Sequence, residues 1–398
     1  MPDAVSITFD DLVKAGYLEI GDGYRTKQSE HGRPGLPILR VAEVLDGRLD
    51  PKFEDFVSNA YRRAMGQKIS RPGDVVLTTK GTVGRVAMIP TDSPEFVYSP
   101  QVCFFRPRSG SPLMNRYLYY WFKGKEFWSQ ARSLKGQTDM ADYINLADIR
   151  SLRIELPSEQ RQQAIAAVLG ALDDKIAVND RIIQACDELR TLKLGYWMQS
   201  NTDMTQERPL SSVAEFINGR AFTKDATGTG RMVIRIAEIN SGPGASTVYN
   251  DIAVPDVHLA RPGDVLFAWS GSLAVTRWFR PEAIVNQHIF KVIPRDDVPL
   301  WLAFELIQTK LEDFKAIAAG KATTMGHIQR HHLDDPVTVP VEHCIGNLDA
   351  ELGPLWQRAL AAEQESLKLV ELRDTLLPKL MSGEIRVRDA ERAVEEAT

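Results

Sequence analysis

What limits this chain most is that it repeats itself. Ile38-Leu39-Arg40-Val41-Ala42-Glu43 returns as Val233-Ile234-Arg235-Ile236-Ala237-Glu238. Arg71-Pro72-Gly73-Asp74-Val75 returns as Arg261-Pro262-Gly263-Asp264-Val265. Gly81, in TTKGTVG, has its counterpart in Gly271, in AWSGSLA, and Ser99-Pro100-Gln101 falls where Val285-Asn286-Gln287 falls. Matches in one order, with a period near half the chain, define an internal duplication. Each copy continues through a proline (Pro112, Pro299), a helix-like stretch and a polar loop holding Gly136 or Gly320. A short strand then ends in Leu156-Pro157 or Val339-Pro340, and a long helical pattern follows. The order is head, helix, head, helix.

The first helical pattern runs from Leu156 to Trp197. Pro157 stops the preceding strand, Ser158 offers a capping oxygen, and Glu159 sits in the positively polarised first turn. Ile165, Leu169, Leu172, Ile176, Asn179 and Ile183 then step by four and three, with Asn179 the one polar member. About 40 residues at about 1.5 Å each make a rod of about 60 Å. The second pattern, Cys344 to Leu380, carries Leu348, Leu352, Leu355, Leu369 and Leu376 in the same stepping. Glu188-Leu189-Arg190 and Glu371-Leu372-Arg373 share wording near the two ends, and Pro354 starts or kinks the second rod. Two narrow apolar stripes of this kind bury each other as a coiled coil. Asn179 is either an irregularity or a device that fixes register.

Within each head the pattern is strand-heavy. LPILRVAEV, DVVLTTK and FVYSPQVCFFRP in the first copy, and RMVIRIAEI, DVLFAWS and AIVNQHIFKVI in the second, are rich in β-branched and aromatic residues. RPGD reads as a turn between them. The expected division is 1–157 for the first head, 158–200 for the first helix, 201–342 for the second head, 343–381 for the second helix, and 382–398 for a polar tail, frayed or briefly helical. A chain of 398 residues, 43% hydrophobic and 25% charged, has material for two cores. It holds no apolar run long enough to span a bilayer and no apolar signal core at its N-terminus. Three scattered cysteines fit a reducing cytoplasm, not a disulfide framework.

Catalytic constellations are missing. There is no phosphate-binding loop of the Walker kind, and neither Asp334-Asp335-Pro336-Val337 nor Gly228-Thr229-Gly230 makes a base-methylating site. Asp173-Asp174-Lys175 has nuclease-like wording but lies on a helix, where a solvated charged face is the expected role. His327, His331, His332 and Cys344 do not have zinc spacing. The net charge of −5 does not advertise nucleic-acid binding, yet local patches meet a ligand, not totals. Arg106, Arg108, Arg116, Lys123, Lys125, Arg132 and Lys135 are interleaved with Tyr117, Tyr119, Tyr120, Trp121, Phe122, Phe127 and Trp128. The aromatics are expected to pack on their own sheet, while the cations suit phosphates. The second head offers a sparser set: Arg277, Arg280, Lys291, Lys310, Lys315, Lys321 and Arg330.

Loops beside glycine are the expected readers of base edges. The first head presents Thr79, Lys80 and Thr82, then Gln101, then Lys135 and Gln137. The second presents Trp269 and Ser270, then Asn286, Gln287 and His288, then Lys321 and Thr323, with Arg330 close behind. Lys, Gln and Asn are side chains that pair with G or A in the major groove.

On LPSEQRQQAIAAVLGALDDKIAVND, ELRDTLLPKLMSGEI and FINGRAFTKDATGTGRMVIRIAEI, the chain resembles the specificity subunit of a type I restriction–modification enzyme along almost its whole length. The resemblance implies an α+β fold: two similar strand-rich target-recognition domains separated by an antiparallel coiled coil of two long helices, with a pseudo-twofold internal repeat. Each head would read one part of a split double-stranded DNA target. The helices would hold the heads apart and dock two methyltransferase subunits, which bring S-adenosylmethionine; motor-nuclease subunits would join in a restricting system. The chain itself would hold no cofactor or metal and catalyse nothing. The rival reading is a two-headed adaptor that grips proteins, which the overall acidity favours.

Overall fold

The structure is a computed structural model and describes residues 5–134, 143–295, 297–320 and 326–397. The chain divides into two compact units, Met1–Asp174 with Val370–Thr398, and Lys175–Leu369. Each unit is a head with a stretch of both long helices packed on it. Six helices matter below: α1 (Asn115–Lys123), α2 (Lys125–Leu134), α3 (Glu159–Ser200), α4 (Leu300–Ala319), α5 (Glu342–Ser382) and α6 (Val387–Ala397).

In the first unit, Val5–Thr8 pairs antiparallel with Arg153–Leu156, joining the head's first strand to its last. A four-stranded antiparallel sheet follows the spatial order Leu18–Gly21, Val102–Pro107, Val75–Thr78, Val86–Met88. A smaller sheet sets Gly35–Leu39 between Phe56–Ser58 and Val97–Tyr98. The aromatic stretch behaves as expected. Trp121 and Phe122 of α1 are fully buried beside Phe9, Phe105 and Phe127, in tilted and edge-on pairs. Such rings supply large apolar area and prefer those geometries.

The second unit repeats the plan. Thr205–Pro209 pairs with Pro336–Pro340. The four-stranded order is Ala214–Asn218, Ile289–Pro294, Val265–Ala268, Ala274–Arg277, strand for strand the arrangement of the first head. The small sheet runs Tyr249–Asn250, Arg231–Ile234, Ala283–Val285, Leu259–Ala260. The repeated sequence words turn out to be structural. Glu43 and Glu238 are buried, and each accepts the backbone N–H of the arginine three residues earlier, at 2.7 and 3.0 Å. Asp74 and Asp264 of the RPGD turns accept the N–H of Arg71 and Arg261 at 2.9 and 2.7 Å.

α3 starts as its wording predicts: Ser158 Oγ accepts the Arg161 N–H at 3.4 Å. In the first unit Ile165, Leu169 and Leu172 are buried, as is Leu376 of α5. In the second, Asn179, Leu348, Leu352 and Leu369 are buried, while Ile176, Ile183 and Leu355 are half-buried. In the second unit the helices run antiparallel, with Lys175 meeting Glu365 and Lys193 meeting Glu351, and in the first Asp173 meets Arg373 at 2.9 Å. Asn179 donates to Glu365 at 2.9 Å, and its own buried oxygen finds no partner. A polar side chain that costs stability in a seam is a register device, so that reading is favoured. Pro354 does not begin the second helix: α5 starts at Glu342 and runs through it. The tail carries α6, anchored by the buried Ala390.

Buried polar side chains fasten helix to head, and the apolar stepping did not foretell them. Gln162 is fully buried, donates to the carbonyls of Pro112 and Pro157 at 2.8 and 3.0 Å, and accepts the Met114 N–H. Arg190, 1% exposed, reaches Glu305 of α4 at 2.8 Å and Asp187 at 2.6 Å. Arg277 reaches Glu363 at 2.7 Å and Asp187 at 3.3 Å, with its guanidinium over the Trp356 ring. A buried charge costs free energy unless it is paired and hydrogen-bonded, and these are both.

Candidate nucleic-acid interface

At one rim of each head three backbone segments converge, and they do so through matching hydrogen bonds. In the first head the Thr79 N–H donates to the Gln101 carbonyl at 2.9 Å, and the Thr79 carbonyl accepts from Ile144 at 3.0 Å. In the second the Trp269 N–H donates to the His288 carbonyl at 3.1 Å, and the Trp269 carbonyl accepts from Ile328 at 3.1 Å. Lys80 bridges Tyr143 as Ser270 bridges His327. The matched positions are therefore Thr79 with Trp269, Lys80 with Ser270, Gln101 with His288, and Tyr143 with His327.

This corrects the expected alignment by one residue. Thr78 lies opposite Val102 and Ala268 opposite Ile289, so Gln101 and His288 each sit just before the strand. A Cβ on Gly23 would strike the Ser99 carbonyl oxygen at 2.0 Å, and one on Gly219 would strike that of Asn286 at 2.1 Å. Ser99 thus corresponds to Asn286, and Gln287 is matched with Pro100.

The rim sorts the expected readers into two groups. Lys80, Thr82, Gln101, Gln287 and Arg330 are exposed, and Trp269 and His288 are half-buried. Thr79, Ser270 and Asn286 are buried instead. Thr79 Oγ1 donates to the Gln101 carbonyl at 3.1 Å, and Asn286 Oδ1 accepts the Phe222 N–H at 3.1 Å, so these side chains hold the loops in place. Ser270 is turned inward by its bridge to His327. Lys135, Gln137, Lys321 and Thr323 lie outside the described residues. Tyr143, 37% exposed, was not anticipated; only its place after the Gly136 loop pointed to it.

The two rims differ in chemistry. The first presents Lys80, Gln101 and Tyr143, a cation and an amide beside a phenol. The second is aromatic. Trp269 stacks on Phe290 at 5.7 Å and lies 5.2 Å from the His288 ring and 6.3 Å from that of His327. Its indole N–H donates to Asn218 at 2.8 Å, which fixes the ring.

Many of the expected phosphate-binding cations are already engaged. Arg106 is buried and holds Asp74 through two hydrogen bonds of 2.7 and 2.6 Å, and Tyr98 donates to the same carboxylate at 2.7 Å. Burial, and then the Asp74 charge, push the Tyr98 phenol well up, so it remains a donor. Arg116 pairs with Asp174 at 2.8 Å, and Tyr120, held protonated chiefly by burial, donates to Asp173. The Asp173-Asp174-Lys175 string is thus occupied by ion pairs. Arg277 and Lys291 are buried, Lys291 against the Leu259 carbonyl at 2.6 Å and Asp264 at 2.9 Å. Lys310 and Lys315 pair with neighbours on α4. Lys125 and Arg132 remain exposed. Among the described residues no cluster of His, Cys, Asp and Glu could hold a metal ion, and no helix is long and apolar enough to cross a membrane.

Comparison with known proteins agrees with this architecture. Residues 18–187 match the family described as the type I restriction modification DNA specificity domain. The chain is similar to the specificity subunit of the type I restriction enzyme MjaIX of Methanocaldococcus jannaschii, at 20% identity over 358 residues, or 81% of this chain and 80% of that one. Its fold is similar to that of a type I restriction–modification S subunit from M. genitalium, with a TM-score of 0.59 at 15% identity, covering 95% and 96% of the two chains. The first half of the chain thus matches the specificity-domain family, and the whole chain is similar in sequence and fold to specificity subunits of type I restriction–modification systems.

Proposed function

We propose that this chain is the sequence-reading subunit of a type I restriction–modification complex in the cytoplasm, and that it reads a bipartite DNA target with one head per half-site. The observation that carries this is the repeated rim: one set of backbone hydrogen bonds in both heads, filled with different side chains. Two copies of a scaffold with divergent rims suit two different short sequences, since loops on a rigid frame carry recognition. The paired helices would set the separation between half-sites, of the order of one DNA turn. Methylation of adenine, with S-adenosylmethionine, would belong to two methyltransferase partners, and cleavage to motor-nuclease subunits where present; this chain would catalyse neither.

A second stripe on α3 supports docking. Val178, Ile182, Ala185, Leu189, Leu192 and Tyr196 step by four and three along one face. Leu192 and Tyr196 are 71% and 75% exposed. Unpartnered apolar residues in heptad spacing suit a partner's helix.

The test is selection of bound duplexes from a randomised library, using the full chain with its methyltransferase partners. The expected result is two short specified blocks with a fixed gap, and a gap that shifts when one helical turn is inserted in both α3 and α5. A single contiguous block, or an unmoved gap, would overturn the reading. The adaptor reading predicts instead no DNA binding that weakens steeply with salt.

A further inference from the structure

We propose that His288 is a specificity-determining residue of the second head, meeting a base edge with the outer nitrogen of its imidazole, and that Gln101 holds the matching place in the first. The inference rests on the DNA-reading function proposed above and names the side chains that perform it.

His288 occupies a backbone conformation that side chains rarely adopt, with φ at +71°. Among the described residues only Phe53 and Asp225 share that property without being glycine. Phe53 is held there by its N–H bond to Glu43 at 2.7 Å, and Asp225 lies in an exposed stretch. His288 lies in the turn just before its strand, a place that glycine or asparagine ordinarily fills when φ is positive. Its Nδ1 is also buried without a hydrogen-bond partner. A glycine at this position would relieve both penalties at once. Penalties of this kind gather where function needs a particular side chain in a particular place.

The surroundings hold the ring still. The His288 carbonyl accepts the Trp269 N–H, the Trp269 ring lies 5.2 Å from the imidazole, and Trp269 is itself fixed by Asn218 and Phe290. With Nδ1 turned inward on a half-buried residue, the Nε2 edge is the part left to meet a ligand. One nitrogen carrying a proton suits a lone acceptor such as guanine N7 or O6. Gln101, matched to His288 by hydrogen-bond register though without its positive φ, is exposed and carries a donor and an acceptor together, which suits the N6 and N7 of adenine.

The experiment repeats the library selection with His288→Asn and Gln101→Ala in the full chain with its partners. Asparagine tolerates the same backbone conformation, so the loop is kept. The expected result for His288→Asn is a loss of preference of about 10- to 100-fold at one base position in one half-site, with the other half-site unchanged. Gln101→Ala should do the same in the other half-site only. The wild-type motif selected unchanged by both variants would overturn the inference. So would a uniform loss of affinity at every position in both His288→Asn and His288→Gly, which would make His288 a support of the fold. If the wild-type chain itself selects no motif, the DNA-reading function fails, and this assignment falls with it.

Discussion

Replacing Arg190 with methionine isolates what the buried ion pairs contribute. In the second unit Arg190 is 1% exposed, bonds Glu305 and Asp187, and lies over the Trp356 ring at 5.1 Å. Methionine restores part of the packing volume but leaves Glu305, with a side chain 5% exposed, only the Thr191 hydroxyl at 3.1 Å. Removing one partner of a buried pair costs about 3–5 kcal/mol. Allowing for the recovered packing, Arg190→Met should cost the second unit about 3 kcal/mol at neutral pH. Burial already pushes the Glu305 carboxyl above its ordinary value of 4.5, with Arg190 pulling it back. Without the arginine it rises further. A carboxyl raised in the folded state binds its proton more tightly there, so its stabilising protonation is lost as pH rises through the folded value. The variant should therefore recover stability as pH falls from 8 towards 5. Changing Glu305 to leucine in the same chain removes the stranded charge and should restore about 2 kcal/mol or more. Urea unfolding followed by tryptophan fluorescence reads all of this, with hydrogen exchange of α4 locating the loss. A single variant within 1 kcal/mol of wild type, or a double variant no more stable than the single, would refute the reasoning.

Glycine and cysteine substitutions give further checks. A Cβ at Gly84 (φ +96°) would lie 2.1 Å from the Trp128 ring, so Gly84→Ala should lower first-unit stability by about 2 kcal/mol or more. Gly195 sits in α3 with open space at its Cβ, so Gly195→Ala should raise stability by up to about 1 kcal/mol; thermal melting separates the two outcomes. Burial pushes the Cys103 thiol far up. It should resist alkylation until the first unit unfolds, whereas Cys186 and Cys344, both half-buried, label earlier; mass spectrometry after timed alkylation checks the order.

The duplication, the strand-rich heads and the helix seam were legible because each rests on spacing. Leu169, Leu172, Leu352 and Leu369 declare themselves by period, and Ser158 by its place before the first turn. The buried polar contacts were not legible. Gln162, Arg190 and Arg277 are types that periodicity assigns to solvent, and only tertiary partners explain their burial. The rim was legible as loops but not as residues. Thr79, Ser270 and Asn286 look like surface polars in one dimension; backbone pairing turns them inward. The one-residue offset between Gln101 and Gln287 has the same origin. Two glutamines attract each other in an alignment, while hydrogen-bond register obeys the strands and pairs Gln101 with His288.

The clasp of outer strands has a consequence for how such a protein can change. Thr205 lies opposite Pro340, so the second head departs from α3 and returns to α5 at neighbouring points. Topologically it is a detour with adjacent ends. Excising it and splicing Thr205 to Pro340 would leave α3 and α5 joined by a tight hairpin, free to keep their pairing in the second unit. A new reader whose first and last strands zip together in the same way could be grafted at that junction, provided it supplies partners for Arg190 and Glu363 on the helix faces.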